Sequence, residues 1–229
     1  MSTCSFWQES KHLHAHPQIP TNVTTDQAGS LPLGLNTAVF GLYDYEDGGI
    51  GNCGLAPPWE EGGRDKYAGQ PILILGGASS VGQHVIQLAK LSGFSPIVTT
   101  ASLRNADRLR QLGATHILDR GLAFDALASE LERIVLEPLT VIYDAVASLD
   151  TQNFAYDILA PGGALAVVRP VAVSEAKRVP EKRVSIVYAN AFRPENQRLA
   201  KSLFSRLHHL LEEGAIKGRV VSTVLLDAS

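Results

Sequence analysis

The chain has 229 residues, 45% hydrophobic and 19% charged, with a formal net charge of −3, the balance of a soluble globular protein with one domain, or one domain plus a fragment. That charge gives no electrostatic reason for a nucleic-acid or membrane-surface partner, and no apolar run approaches the ~20 residues of a membrane span. Two cysteines, Cys4 and Cys53, make neither a zinc quartet nor a disulfide framework and no basic-then-apolar leader opens the chain, so a reduced cytoplasmic setting without a metal site is expected.

Residues 1–18 are polar and aperiodic. His12, His14 and His16 would share one face of a strand and could grip a metal, but the stretch reads as a frayed, disordered tail. Residues 19–70 form a helical lead-in followed by a long loop. Thr24 or Thr25 caps a short helix with Gln27 behind it, and Leu31-Pro32-Leu33-Gly34 opens a second helix that runs to about Tyr43. Residues 44–70, punctuated by Gly48-Gly49, Pro57-Pro58 and Gly62-Gly63, form a loop long enough to be functional or family-specific.

Residues 71–218 alternate short β-like runs with helical patterns. Strands are expected over 72–75, 96–100, 115–118, 141–144, 164–168 and 184–188, and helices over 81–92, 106–112, 122–136 and 151–159. In the first helix Val81, Val85, Leu88 and Ser92 recur at helical spacing, one side packed and the other polar. Strict alternation of this kind predicts an α/β, Rossmann-type doubly wound parallel sheet of six strands with helices on both faces. A last helix over 195–213 carries Leu199, Leu203, Leu207, Leu210 and Leu211 as its apolar stripe, and Gly214 stops it. His208 and His209 fall on its solvated flank. Residues 219–226 read as one more strand, within a short return segment over 219–229.

The segment Gly77-Ala78-Ser79-Ser80-Val81-Gly82 leaves the first strand and opens a helix with the spacing of a dinucleotide fingerprint. Gly77 permits the tight turn and Gly82 the close approach of helix to sheet. Serine at the middle position adds a hydroxyl able to reach a phosphate oxygen, and the amides of Ser80, Val81 and Gly82 would sit at the positive end of the helix. The alternative is a glycine turn without a ligand. NAD sites close the second strand with Asp or Glu. Here that strand runs into Ala101-Ser102-Leu103-Arg104-Asn105, where Ser102 and Arg104 suit a 2′-phosphate, which points to NADP(H). The competing reading leaves Arg104 as a solvated residue at a helix start. No Tyr-x-x-x-Lys pair is present, against a short-chain reductase, and the missing acid after the second strand also counts against a methyltransferase.

Leu31-Pro32-Leu33-Gly34-Leu35-Asn36-Thr37-Ala38, Gly76-Gly77-Ala78-Ser79-Ser80-Val81-Gly82-Gln83, Ile86-Gln87-Leu88-Ala89-Lys90 and Leu112-Gly113-Ala114, in this order, resemble the medium-chain dehydrogenase/reductase superfamily. The likeness is to its zinc-independent quinone- and enoyl-reductase branch, and within that to the trans-acting enoyl reductases of fungal polyketide synthesis. It implies that Ser79, Ser80, Val81 and Gly82 hold the pyrophosphate and that Ser102, Arg104 and Asn105 read the 2′-phosphate, with Leu103 where the family has proline. Arg120, following Asp119, is placed beside the adenosine, where it could support the 2′-phosphate. Val167 and Val168 line the nicotinamide, and Thr37 approaches the cofactor from the helix before the sheet, unless its hydroxyl bonds back within that helix. The family transfers hydride from NADPH to an α,β-unsaturated thioester or ketone. It also implies a GroES-like barrel before residue 19, with return strands after 226, where this chain has an 18-residue tail and ends at Ser229. The expectation is a truncated reductase, weakly active or inactive alone, with no catalytic residue to name; Tyr43 and Tyr45 are read as packing residues. A non-catalytic interaction module, meeting a protein partner or a second copy at edges left by the barrel, is the rival, and an incomplete gene product is a third possibility.

Overall fold

The computed structural model describes residues 19–43 and 52–218. The polar tail with its three histidines, Tyr45 and the strand expected over 219–226 lie outside them.

Helix α1 (Thr25–Ser30) starts at a capping box. The Thr24 hydroxyl accepts the Gln27 N–H at 3.2 Å while Gln27 Oε1 accepts the Thr24 N–H at 2.9 Å, which satisfies two donors the helix end would otherwise leave bare. Helix α2 (Pro32–Leu42) follows with proline in its first turn. Residues 52–70 make turns rather than helix or strand. They are anchored by Trp59 Nε1 donating to Ser202 at 2.9 Å and by the Ala56 N–H donating to the Tyr67 hydroxyl at 2.7 Å.

Six strands then form one parallel sheet: β1 (Ile72–Leu75), β2 (Ile97–Ala101), β3 (His116–Asp119), β4 (Val141–Asp144), β5 (Ala164–Val167) and β6 (Arg183–Ile186). Their order is β3-β2-β1-β4-β5-β6, the doubly wound arrangement expected from the alternation. All strand ends but one fall within one residue of the predicted limit. The last strand begins and ends earlier than expected, at Arg183–Ile186, although the Val187 N–H still bonds the Val167 carbonyl at 2.9 Å.

Between the strands lie α3 (Ser80–Leu91), α4 (Ala106–Leu112), α5 (Phe124–Ile134) and α6 (Leu149–Ile158), and α7 (Pro194–Glu212) closes the described part. Helix α5 is shorter than the predicted 122–136. It stops at Ile134, which still packs on the core, and Pro138 favours extended backbone just upstream, leaving Leu136 88% exposed.

Alternation along the strands sends side chains to two cores. Ile72 and Ile74 meet Val85, Leu88, Leu203 and Leu207 beneath α2, α3 and α7, while Leu73 and Leu75 meet Leu127, Leu131 and Phe154 beneath α5 and α6. The predicted leucine stripe of α7 is buried throughout, and the Asn22 amide donates to the carbonyls of Leu211 and Glu212 at its C-terminus.

Helix α3 departs from its amphipathic reading. Gln83, His84 and Gln87, its polar side, are as buried as its apolar stripe. For His84 the cause is α2, which lies against α3 and the sheet through two glycines, while Gln83 is covered by Arg108 of the neighbouring α4. A Cβ on Gly34 would come within 2.6 Å of Ser80 Oγ, and one on Gly41 within 2.5 Å of the Tyr143 ring. Gln87 finds partners in the 215–218 segment, accepting the Lys217 N–H at 2.7 Å.

Candidate functional site

Strand order reverses between β1 and β4, and the two connections leaving these strands part at the carboxyl edge of the sheet, where doubly wound folds bind ligands. Leu75, Thr100 and Asp144 stand side by side at that edge. The chain leaves β1 through Gly76, whose φ of +81° suits glycine, and enters α3 at Ser79, its N-cap.

The connection is built for close approach. A Cβ on Gly77 would lie 2.1 Å from Thr99 Oγ1, and one on Gly82 would lie 2.4 Å from the Gly76 carbonyl oxygen. The turn is held by the Ser79 N–H on the Gly76 carbonyl at 3.0 Å, and by the Gly76 N–H on Thr100 Oγ1 at 3.1 Å. Ser79 Oγ accepts the Gly82 N–H at 3.0 Å. That bond revises one expectation: the Gly82 amide serves the cap and is not a free donor. Ser80 and Val81, the first two helical residues, have N–H groups without an intrahelical partner, and both residues are half-buried. The Ser79 hydroxyl accepts in the cap and retains its proton for donation.

After β2, Ser102 is half-buried and starts a 3-10 turn, Leu103–Asn105, in which Leu103 is 53% exposed and Arg104 is exposed. Leu118 and Asp119 run beside Thr100 and Ala101, and the Arg120 N–H donates to the Ala101 carbonyl at 3.0 Å. Ser102, Arg104, Asn105 and Arg120 therefore gather at the carboxyl ends of two neighbouring strands. Of the nearby acids, Asp107 pairs with Arg110 at 3.2 Å, and Asp119 accepts the Gly121 N–H at 2.9 Å.

Val167 is buried at the end of β5, and Val168 is half-buried just beyond it. Thr37 is almost fully buried on α2, and its hydroxyl donates to the Leu33 carbonyl at 2.6 Å, the local bond that competed with a cofactor role. Tyr43 is a packing residue: its hydroxyl lies 2.8 Å from Ser92 Oγ, and burial holds its pKa well above the usual range.

Two features escaped the sequence reading. Buried Asp144 shapes the exit from β4, its Oδ1 accepting the N–H groups of Val146 and Ala147 at 3.0 and 2.7 Å, with Ala147 at a φ of +51°; burial raises the Asp144 pKa. The second is Gln83, whose amide donates to the Ala78 carbonyl at 2.9 Å while Arg108 of α4 donates to its Oε1 from Nε and Nη2 at 3.2 and 3.0 Å.

A glycine turn too tight for Cβ atoms, open amides on the first turn of α3 and a capping serine fit the pyrophosphate of a dinucleotide. Residues 80–200 match the family model described as zinc-binding dehydrogenase. The chain belongs to this family. Its relatives place this chain among the enoyl-reductase-like members of the medium-chain dehydrogenase/reductase superfamily, whose cofactors are nicotinamide dinucleotides. It is 37% identical over 137 residues to the trans-enoyl reductase himH of Aspergillus japonicus, covering 59% of this chain and 35% of that protein. With the trans-enoyl reductase traG of Penicillium crustosum it shares 28% identity over 214 residues, 86% of this chain and 57% of the relative. The chain thus spans between about a third and three-fifths of the length of these two relatives. The CurK enoyl reductase structure has a TM-score of 0.66 at 21% identity, covering 88% of this chain and 55% of that one, a likeness of fold. Among the described residues, no group of three or more His, Cys, Asp or Glu side chains is placed to hold a metal ion, and no helix is long and apolar enough to cross a membrane.

Proposed function

We propose that this chain binds NADPH along the carboxyl edge of its sheet and serves an enoyl- or quinone-reductase reaction on an activated C=C. The observation that carries the choice of NADPH is the end of β2. Ser102, exposed Arg104 and the tethered Arg120 stand where an NAD site would present a carboxylate. In this reading Ser79, Ser80 and Val81 hold the pyrophosphate, with Gly77 and Gly82 giving it room. Ser102, Arg104, Asn105 and Arg120 hold the 2′-phosphate, Val167 and Val168 wall the nicotinamide, and Thr37 closes the site from α2. The bound cofactor would supply the hydride, to an unsaturated ketone or thioester; the two fungal relatives are trans-enoyl reductases. The protein would supply orientation and exclusion of water. In this reading the described residues furnish the nucleotide side of such a site.

Fluorescence titration with NADPH and NADH tests the reading. Ser79→Asp keeps a capping acceptor and sets a carboxylate at the start of α3, where it suits the helix dipole and repels a pyrophosphate; both nucleotides should lose affinity in a protein that still melts cooperatively. Arg104→Ala should cost NADPH about 1.5–3 kcal/mol, the worth of a charge-assisted bond, and leave NADH unchanged. Equal affinity of the parent chain for the two nucleotides would remove the case for NADPH.

A further inference from the structure

We infer that Arg108 is a positioning residue for the phosphate loop, acting through Gln83, and that the chain divides its nucleotide recognition between two arginines of one βα unit. This rests on the nucleotide-binding reading above.

The peptide unit joining Ala78 to Ser79 lies at the centre of the loop and is held at both ends. Its N–H donates to the Gly76 carbonyl at 3.0 Å, and its carbonyl accepts from Gln83 Nε2 at 2.9 Å. Gln83 is the fourth residue of α3 and 7% exposed. A carboxamide offers nearly the same shape with oxygen and nitrogen exchanged, and the exchanged form would set two carbonyl oxygens against each other at Ala78. Arg108 removes that freedom. Its guanidinium only donates, so two of its N–H groups on Oε1, at 3.2 and 3.0 Å, require the oxygen to face α4 and the NH2 to face the loop. The chain of bonds from Arg108 through Gln83 to Ala78 therefore fixes the plane of the peptide that precedes the free amides of Ser80 and Val81.

Helix α4, which carries Arg108, is also the helix that the Ser102–Asn105 segment leads into. Exposed Arg104 at its start is free to discriminate between nucleotides. Half-buried Arg108, one turn on and turned toward α3, preorganises the loop that every dinucleotide would use. The two predict different signatures. Loss of Arg104 changes the ratio of NADPH to NADH affinity, whereas loss of Arg108 weakens both by the same factor.

The test is a double-mutant cycle on nucleotide affinity in the full chain, with Arg108→Met, Gln83→Met and the pair, read by fluorescence titration of NADPH and NADH. Each single change should raise both dissociation constants about tenfold, the size of one well-made bond. The double variant should be no worse than either single, because the groups act as one unit. Gln83→Glu keeps a partner for Arg108 but loses the donor to Ala78, and should match Gln83→Met; parental affinity in Gln83→Glu would overturn the inference. So would additive losses, or a loss in Arg108→Met confined to NADPH. Backbone amide exchange of Ser79 and Gly82, whose N–H groups are bonded within the loop, gives a second readout without nucleotide. It should quicken in Arg108→Met while the core strands keep parental protection, and unchanged exchange would also overturn the inference. If the parent chain binds neither nucleotide, the proposed function fails, and the exchange measurement alone decides the role of Arg108.

Discussion

His84 gives this fold a specific sensitivity to acid. It sits one turn after Ser80 on α3, 2% exposed, with Nδ1 lacking a hydrogen-bond partner and its ring against Gly34. Burial lowers its pKa from 6.5 to about 4. The folded state therefore holds the ring neutral over a range where the unfolded chain would protonate it. Stability from this group is complete above the unfolded value and drains away as pH falls toward the folded one. A tenfold difference in proton affinity is worth about 1.4 kcal/mol, so the full effect is about 3 kcal/mol, of which about 2 is lost by about pH 5. Urea denaturation of the parent and of His84→Leu at about pH 7.5, 6 and 5 measures it, since every other titrating group is common to both. Near pH 7.5 the leucine should be neutral or slightly stabilising, because an unpartnered buried nitrogen is removed. By about pH 5 it should exceed the parent by about 2 kcal/mol. A stability difference that stays constant with pH within about 0.5 kcal/mol would refute the reasoning.

Three further outcomes follow from buried groups. Ala147 holds a left-handed φ of +51° that costs a non-glycine residue ~1–2 kcal/mol, partly offset by the greater unfolded freedom of glycine; Ala147→Gly should raise the melting temperature by about 1–2 °C. The Tyr143 hydroxyl donates to the Thr37 carbonyl at 2.7 Å between β4 and α2, so Tyr143→Phe should lose about 1–2 kcal/mol in denaturant titration. Cys53 is buried, and its thiol is pushed up to about 12, mainly by that burial and against the pull of the Arg183 charge. In a Cys4→Ser background it should resist thiol reagents until the protein unfolds, and prompt native-state labelling would show that the α2–β5 packing opens.

The strands could be read because a parallel sheet covered on both faces needs unbroken apolar runs, and Ile72–Leu75 or Val141–Asp144 can hardly be anything else. The phosphate turn announced itself through glycine spacing, a demand of local backbone geometry. What could not be read depends on contacts distant in sequence. Gln83, His84 and Gln87 look like a solvated helix face until Arg108, α2 and the 215–218 segment, all on other elements, are laid over them in turn. Arg108 looks like any arginine on a short surface helix, since its partner lies on another element. Thr37 suits either reading by sequence alone, and the i−4 bond to Leu33 accounts for its hydroxyl proton.

The cover that α2 lays over α3 sets a rule for dissecting this protein. A recombinant fragment cut to begin at β1 would retain every strand of the sheet and the whole glycine turn, and would pass for a minimal nucleotide-binding unit. It would also uncover His84, the Tyr143 hydroxyl, and the floor beneath Leu35, Val39 and Leu42 in one stroke. Such a piece should aggregate or melt early, so the shortest useful fragment starts no later than Asn22, whose amide caps the final helix from the far end of the chain.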